Sequence, residues 1–298
     1  MNKYYLIIIL LTLLGCNSNT KKSDAQSGTT ASVNTVFAII GDYGDPNPKY
    51  GEHSVADLVM SWKPGFIVTV GDNSYGDDDG DRLKTNVGDV YGRYITDSTF
   101  FPCVGNHDHA NKPDDTLKSY KAFFKRPDNY HVRMDKNHCY LYFLDSGWDG
   151  SENAGHFEQH TKDSLLAWLK EDTLDYFKIV FFHHPPYSDG WHGSNTGTQL
   201  GFDTLGIDAV ICGHDHLYER IVAKKDSLPL KTLYLVNGSG GARLYTEHTD
   251  RIPQNLEVVS RVDSTWGALK AVCSSKRIDF YFYNTHGVAL DSSFVEHR

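Results

Sequence analysis

Five times along this chain a short apolar run stops at a turn that carries a carboxylate, an amide or an imidazole. The runs cover residues 36–40, 66–70, 100–104, 177–182 and 207–211. Continuous apolar runs of this length, rich in β-branched and aromatic residues, are the signature of strands covered on both faces. The turns that follow read Gly41-Asp42-Tyr43-Gly44, Gly71-Asp72-Asn73-Ser74-Tyr75, Gly105-Asn106-His107-Asp108, His183-His184 and Gly213-His214-Asp215-His216. One Gly-Asp after a strand is only a turn, and one His-x-His is as easily a surface pair as a metal site. Five such turns in order are different. In a parallel sheet, ligand-binding side chains collect at the carboxyl ends of the strands, so this order brings the polar residues to one edge.

The segments between the runs supply the covering layers. Val55, Leu58, Val59 and Trp62 fall at helical spacing within residues 50–62. Residues 116–124 also read as a helix, and residues 130–145 alternate as a hairpin does. Residues 160–174 form the clearest amphipathic helix, with Leu165, Leu166, Trp168 and Leu169 as its apolar stripe. A short helix is expected over residues 199–205. After His216 the pattern changes to strands and turns, at residues 233–236, 268–272, 278–283 and 288–291. Residues 34–298 contain no Pro- or Gly-rich linker and no internal repeat. They read as one domain, α/β first and β-rich last, with two packed sheets and helices outside.

Neutral imidazole is the usual nitrogen donor for zinc, iron or manganese, and carboxylates supply hard oxygen. The ordered set GDxG, GDxxY, GNH(D/E), VxxH and GHxH, carried here from Asp42 to His216, resembles that of the calcineurin-like metallophosphoesterases. Tyr75 makes it similar to the purple acid phosphatases within that superfamily. With a signal and tether expected to account for the residues before Asn34, leaving no extra N-terminal β-sandwich, it resembles the small mammalian (tartrate-resistant) type. The turn Asn237-Gly238-Ser239-Gly240-Gly241 resembles a downstream glycine segment of the same family. The resemblance implies a four-layer αββα sandwich of two mixed sheets, and an acid phosphatase that hydrolyses phosphate monoesters by attack of a metal-bound hydroxide. It also implies a binuclear centre of Fe(III) plus Fe, Zn or Mn. In that scheme Asp72 bridges the ions, Asp42, Tyr75 and His216 complete the iron(III) site, and Asn106, His183 and His214 complete the other. A two-metal site of this kind clamps a phosphoryl group for in-line attack. His107 and His192 take the catalytic places, binding phosphate and protonating the leaving group, although His192 also reads as a loop histidine. Asp215, between two ligands, is expected to point away from the metals.

The other residues with chemical potential have plainer readings. His184 is expected to be a pocket wall or a packed imidazole, and His109 to be exposed. Asp108 either orients His107 or caps a helix. The acidic run Asp77-Asp78-Asp79-Gly80-Asp81 lacks EF-hand spacing and reads as a solvated loop. Beside Tyr75 it would disfavour heavily anionic substrates. Cys103, Cys139, Cys212 and Cys273 either form two disulfides, in one of three pairings, or stay as buried thiols.

The N-terminus bears on location. Lys3, an apolar run over residues 4–14 and Gly15-Cys16 read as an export signal too short to span a bilayer. Leu13-Leu14-Gly15-Cys16 resembles a bacterial lipobox. The expectation is a lipoprotein signal over residues 1–15, lipidation of Cys16, and a flexible tether over residues 16–33. The protein would be an exported lipoprotein, in the periplasm or at the cell surface, touching membrane only through that lipid, and a monomer. A formal net charge of −9 argues against nucleic acid as a partner, since that needs a basic face. It also means that a phosphate monoester must be held by metals or local donors. Two other readings compete: an exported phosphodiesterase or nucleotidase of the same fold, and an inactive surface binding lipoprotein.

Overall fold

The computed structural model describes residues 34–297, except 46, 48–49, 76–80, 110–116, 149, 151–154, 225–230 and 250–251. The expected signal, Cys16, the tether and most of the acidic run therefore lie outside the described residues. The first half alternates strands and helices: β1 (Thr35–Ile40), α1 (Glu52–Ser61), β2 (Phe66–Thr69), α2 (Asp89–Thr96), β3 (Phe100–Phe101) and α3 (Lys118–Phe124). Next come β4 (Tyr130–Met134), β5 (Cys139–Phe143), α4 (Gln159–Glu171), β6 (Phe177–Phe181) and β7 (Ala209–Cys212). Strands alone complete the chain: β8 (Tyr218–Ala223), β9 (Leu233–Asn237), β10 (Leu256–Val262), β11 (Gly267–Cys273), β12 (Arg277–Asn284) and β13 (Ala289–Glu296). Among the described residues no helix is long and apolar enough to cross a membrane.

Two mixed sheets result. The first has the order β13-β12-β11-β1-β2-β3 and the second β10-β8-β9-β7-β6-β5-β4. Strands β1, β2 and β3 are parallel to one another and form one end of the first sheet, with β11, β12 and β13 antiparallel on the other. In the second sheet β5, β6, β7 and β9 make a parallel centre with antiparallel flanks. Period-two alternation explains why the runs are apolar throughout. Phe37 and Ile39 join the core between the sheets, with Phe143, Phe181 and Ile211 of the second sheet. Ala38 and Ile40, from the opposite face of β1, pack with Val55 and Val59 of α1 and Tyr91 of α2. On the far side, Leu165 of α4 packs with Tyr142, Val180 and Val210. The layers are therefore helix, sheet, sheet, helix, as the resemblance implied.

Some local expectations do not hold. Residues 199–205 are not helical but a set of three-residue turns, with Gly201 in the left-handed region at φ +61°. In α4 only Leu165 of the four stripe residues is fully buried, while Leu166 is 42% exposed. The helix touches the sheet along a narrow line, and Leu166 lies one residue beyond it. Strands β8 and β10 and helix α2 were not legible as elements in the chain. All four cysteines of the described domain are free and buried, so the disulfide option is not taken.

Phe143 stacks with Tyr130, Phe181 and Phe101 at centroid distances of 4.5, 5.3 and 6.0 Å, in the middle of the intersheet core. Phe143→Ala is expected to cost about 3–5 kcal/mol in chemical denaturation, and Leu166→Ala no more than roughly 0.5 kcal/mol. Equal losses would contradict the layer assignment. Glu52, at the start of α1, is buried against Gly241 with no hydrogen-bond partner on its Oε1. Burial, then the neighbouring Asp45, push its carboxyl from an ordinary 4.5 to about 7. Between those values the folded state keeps a proton that the unfolded chain has lost, so stability falls as pH rises through the window. Glu52→Gln should raise the melting temperature at about pH 8 and leave it unchanged at about pH 4; a gain at both would contradict the linkage.

Candidate metal centre

The site forms where the carboxyl ends of the parallel strands of the two sheets meet. Asp42 follows β1, Asp72 and Tyr75 follow β2, and Asn106 follows β3 of the first sheet. His183 follows β6, and His214 and His216 follow β7 of the second sheet. The ligand-type atoms of Asp42, Asp72 and His216 all lie within 4.8 Å of one another, fully buried. The Tyr75 hydroxyl joins them, 3.0 Å from His216 Nε2 and 3.4 Å from Asp42 Oδ1. Beside this group lies a second one. Asn106 Oδ1 is 2.8 Å from His183 Nε2 and 3.1 Å from His214 Nδ1. Asp72 Oδ1 is 3.4 Å from His183 Nε2, so its carboxylate belongs to both groups. All seven residues expected to bind metal are thus brought together.

The donor chemistry fits a cation. His183 donates Nδ1–H to the Val70 carbonyl at 2.9 Å, and His216 donates Nδ1–H to the Arg243 carbonyl at 2.6 Å. Each bond sets the tautomer and leaves Nε2 as the free donor, the usual outer support of a metal-bound histidine. His214 Nε2 is buried with no hydrogen-bond partner. Burial would raise the Asp72 carboxyl, but the His183 and His107 imidazoles hold it well below the usual carboxylate range. Burial opposes a proton on His183, yet Asp72 and Asp42 push it up to about 9. His214 is pushed far down by burial and by the other imidazoles. The Tyr75 phenol is raised by burial and by the Asp72 and Asp42 charges. Carboxylates, imidazoles and a phenol packed this closely are a donor set that a cation would hold together.

Backbone strain marks the same residues. Asp42, Asp72 and His214 have φ of 55°, 52° and 72°, in the left-handed region that non-glycine residues adopt at a cost. The turns are also crowded. Gly71 has φ 97°, and a Cβ there would collide with the His183 ring. A Cβ on Gly213 would strike the Asp42 carboxylate. In both places glycine lets a loop of one sheet lie against a donor of the other.

Two residues not assigned to the site from sequence support it. Asp108 neither orients His107 nor caps a helix. Its buried carboxylate accepts from the Gly105 amide at 2.8 Å, and from the Asn73 amide and Nδ2 at 3.1 and 2.8 Å. Asn73 also donates to the Cys103 carbonyl at 2.7 Å and accepts from Tyr43 and Thr69 at 2.8 and 2.7 Å. The pair pins the loops after β2 and β3 together. The Gly-Asp-Asn and Gly-Asn-His-Asp turns were the available signal, but they read equally as two isolated Asx turns.

The candidate catalytic histidines flank the cluster. His107 is exposed above the Tyr75 ring, 4.4 Å between centroids, and its amide donates to Asp72 at 2.9 Å. The His192 ring stacks on His214 at 4.1 Å, half-buried. Burial, then His216 and His183, push His192 down to about 4. His184 is a packed imidazole, 2.7 Å from the Ser146 hydroxyl. His109 is not exposed as expected: its side chain is 10% accessible and lies 3.3 Å from Asp145. The partner sits beyond β5, distant in sequence, so no local pattern announces the pair. Asp215 points away from both donor groups and receives the His192 amide at 2.8 Å.

Two mixed sheets whose parallel strands end at one shared edge, with a cluster of carboxylates, imidazoles and an amide there, define a metallophosphoesterase. Residues 35–218 match the family model of the calcineurin-like phosphoesterases, and the chain belongs to that family of hydrolases. Purple acid phosphatase 18 of Arabidopsis thaliana is 25% identical over 241 residues, which are 73% of this chain and 53% of that protein. Tartrate-resistant acid phosphatase type 5 of Oryctolagus cuniculus is 25% identical over 218 residues, 60% of this chain and 66% of its own. The chain therefore spans between half and two thirds of the curated relatives it matches. In fold it is similar to the purple acid phosphatase PPD1 from yellow lupin (Lupinus luteus) seeds. The TM-score is 0.69 at 14% identity, covering 89% of this chain and 54% of that one.

The Asp108–Asn73 pin makes a testable statement. Asp108→Ala is expected to weaken Zn²⁺ binding by about 10–100-fold in calorimetric titration, as loss of outer support to metal ligands does. Unchanged affinity would mean that the two loops are held by other contacts.

Proposed function

We propose that the protein hydrolyses phosphate monoesters at a binuclear centre of iron(III) with iron, zinc or manganese. The observation that supports this most directly is Asp72, whose carboxylate is shared between the Asp42–Tyr75–His216 group and the Asn106–His183–His214 group. In this reading Asp42, Tyr75 and His216 would hold the trivalent ion, Asn106, His183 and His214 would hold the other, and Asp72 would serve both. Two bound ions would supply Lewis acidity to a phosphoryl group and lower the pKa of a water nucleophile.

The chain's own residues do the rest. Burial, then the Asp72 and Asp42 carboxylates, raise the Tyr75 phenol well above its ordinary value, so a bound cation would be needed to ionise it. An anionic oxygen there favours a hard trivalent ion. His107, exposed beside Asp72, is placed to hold phosphate and to donate a proton to the leaving oxygen. His192 is neutral in the free protein, since its pKa is pushed down to about 4. The charge of an arriving phosphate favours its protonated form, which couples proton uptake to substrate binding. The net charge of −9 gives such a substrate no long-range attraction, so affinity must come from these local donors and the ions. Export as a Cys16-linked lipoprotein, with the domain acting as a monomer outside the cytoplasm, completes the proposal.

A phosphodiesterase using two divalent ions is the competing reading, and the Tyr75 hydroxyl 3.0 Å from His216 Nε2 speaks against it. Metal analysis of the purified protein with a visible spectrum separates the two. The expectation is equimolar iron and a second metal, a purple band that disappears in Tyr75→Phe, and turnover of p-nitrophenyl phosphate. His192→Asn should lower kcat about 100-fold with both metals retained. Two zinc ions, no colour, and activity on bis(p-nitrophenyl) phosphate alone would overturn the assignment.

A further inference from the structure

The loop that carries His192 is fastened by a buried chain of charged side chains that ends on an edge strand. Asp215 receives the His192 amide on Oδ1 at 2.8 Å and the Ser188 hydroxyl on Oδ2. The Ser188 hydroxyl also accepts the Gly190 amide at 3.0 Å and lies 3.4 Å from Glu219 Oε2. Glu219, in β8 and fully buried, accepts the Asp189 amide at 3.0 Å. Its other oxygen takes Arg261 Nε at 2.9 Å, and the same guanidinium pairs with the Asp189 carboxylate. Arg261 and Glu219 are cross-strand partners in the β8–β10 ladder. Three loop amides, of Asp189, Gly190 and His192, are thus held by this relay, and the loop closes on itself through Ser188 N to Ser194 Oγ at 3.1 Å.

We propose that Arg261 is a positioning residue for His192, acting through Glu219, Asp189, Ser188 and Asp215. The charge count explains the need for it. Asp189 and Glu219 are two buried carboxylates on one guanidinium, which reaches the surface only in part, and the buried Asp215 lies one hydroxyl further on, beyond Ser188. Without that cation two carboxylates face each other with no charge between them, which a low-dielectric interior does not tolerate. The loop must then move outward, and with it the His192 ring that stacks on His214. Arginine suits the position because its planar fork serves two carboxylates at once. No side chain of the relay belongs to the donor groups, and Arg261 is remote in sequence from them, so the placement of His192 is the route by which its loss reaches the chemistry.

The kinetic part of the test rests on the phosphomonoesterase reading; the exchange part does not. Hydrogen exchange measured by mass spectrometry on the full chain reports the peptide spanning residues 188–194. Arg261→Met is expected to speed exchange there about tenfold or more, with the rest of β8 and the metal loops unchanged. Arg261→Lys should restore part of the protection, and Ser188→Ala should reproduce the loss without touching the edge strand. On p-nitrophenyl phosphate, Arg261→Met should lower kcat about tenfold with KM and metal content held. The double variant Arg261→Met/His192→Asn should be no slower than His192→Asn alone, because residues acting as a unit are not additive. Unchanged exchange at residues 188–194, or additive kinetic losses, would overturn the proposal. If the wild-type protein hydrolyses no monoester, the functional reading fails and the exchange result alone decides the relay.

Discussion

Everything at the functional edge depends on placing mutually repulsive groups within bonding distance of one another. Asp42 and Asp72 are buried carboxylates with negligible exposure, and His216 and His183 bring Nε2 to within 3.4 Å of Asp42 and Asp72 respectively. Each desolvated charge would be costly alone. The arrangement is tolerated because the imidazoles and a cation's place between them compensate the carboxylates, and because two sheets, not one, surround the cluster. The left-handed backbone at Asp42, Asp72 and His214 is a further cost localised on the residues that the chemistry needs. The large intersheet core, from Phe37 to Phe282, is what lets the fold sustain it.

The loops are set in place from behind. Asn73 and Asp108 lock two loops of the first sheet, the Val70 and Arg243 carbonyls fix two imidazole tautomers, and Asn237 ties the sheets by donating to the Ile39 carbonyl at 3.0 Å. The glycine turn after β9 runs against the loop after β1, with Gly240 N bonded to the Gly41 carbonyl and Ala242 N to that of Asp42. A wide helical segment, Leu83–Gly88, adds Asn86 Nδ2 to the Gly44 carbonyl at 2.8 Å, and the neighbouring Arg82 reaches the Tyr75 carbonyl at 2.8 Å. Few of these supports are side chains that bear obvious chemistry. They work because a donor displaced by an ångström no longer shares a metal or a phosphate with its neighbours.

The residues around the cluster differ in how they face solvent, and that division shapes the reading of function. His107 is open and lies over Tyr75, whereas His192 is half-buried against His214 with its loop restrained through Asp215. One histidine is free to meet an incoming group, and the other is held in register with the donors. Tyr245 stacks on His216 at 4.3 Å and closes the remaining side. The exposed surface of the site is therefore aromatic and imidazole-rich, although the protein as a whole is acidic.

Much was legible from the chain alone. Apolar runs ending in polar turns marked five of the strands and the turns whose side chains collect at one edge, because a strand covered on both sides has no freedom to alternate and parallel strands send their turns to one side. Other features depended on contacts between residues far apart in sequence. Asp108 gains its role from Asn73, His109 from Asp145, and Arg261 from Glu219, 42 residues away. Leu166 follows the helical stripe in sequence yet lies beyond the line of contact, because the packing angle of α4 on the sheet decides how wide that line is. The sequence by itself determined which side chains come to the edge and in what order. Tertiary structure alone decided how they are divided about Asp72, which tautomers they hold and what supports them, since those depend on distances set by the packing of two sheets.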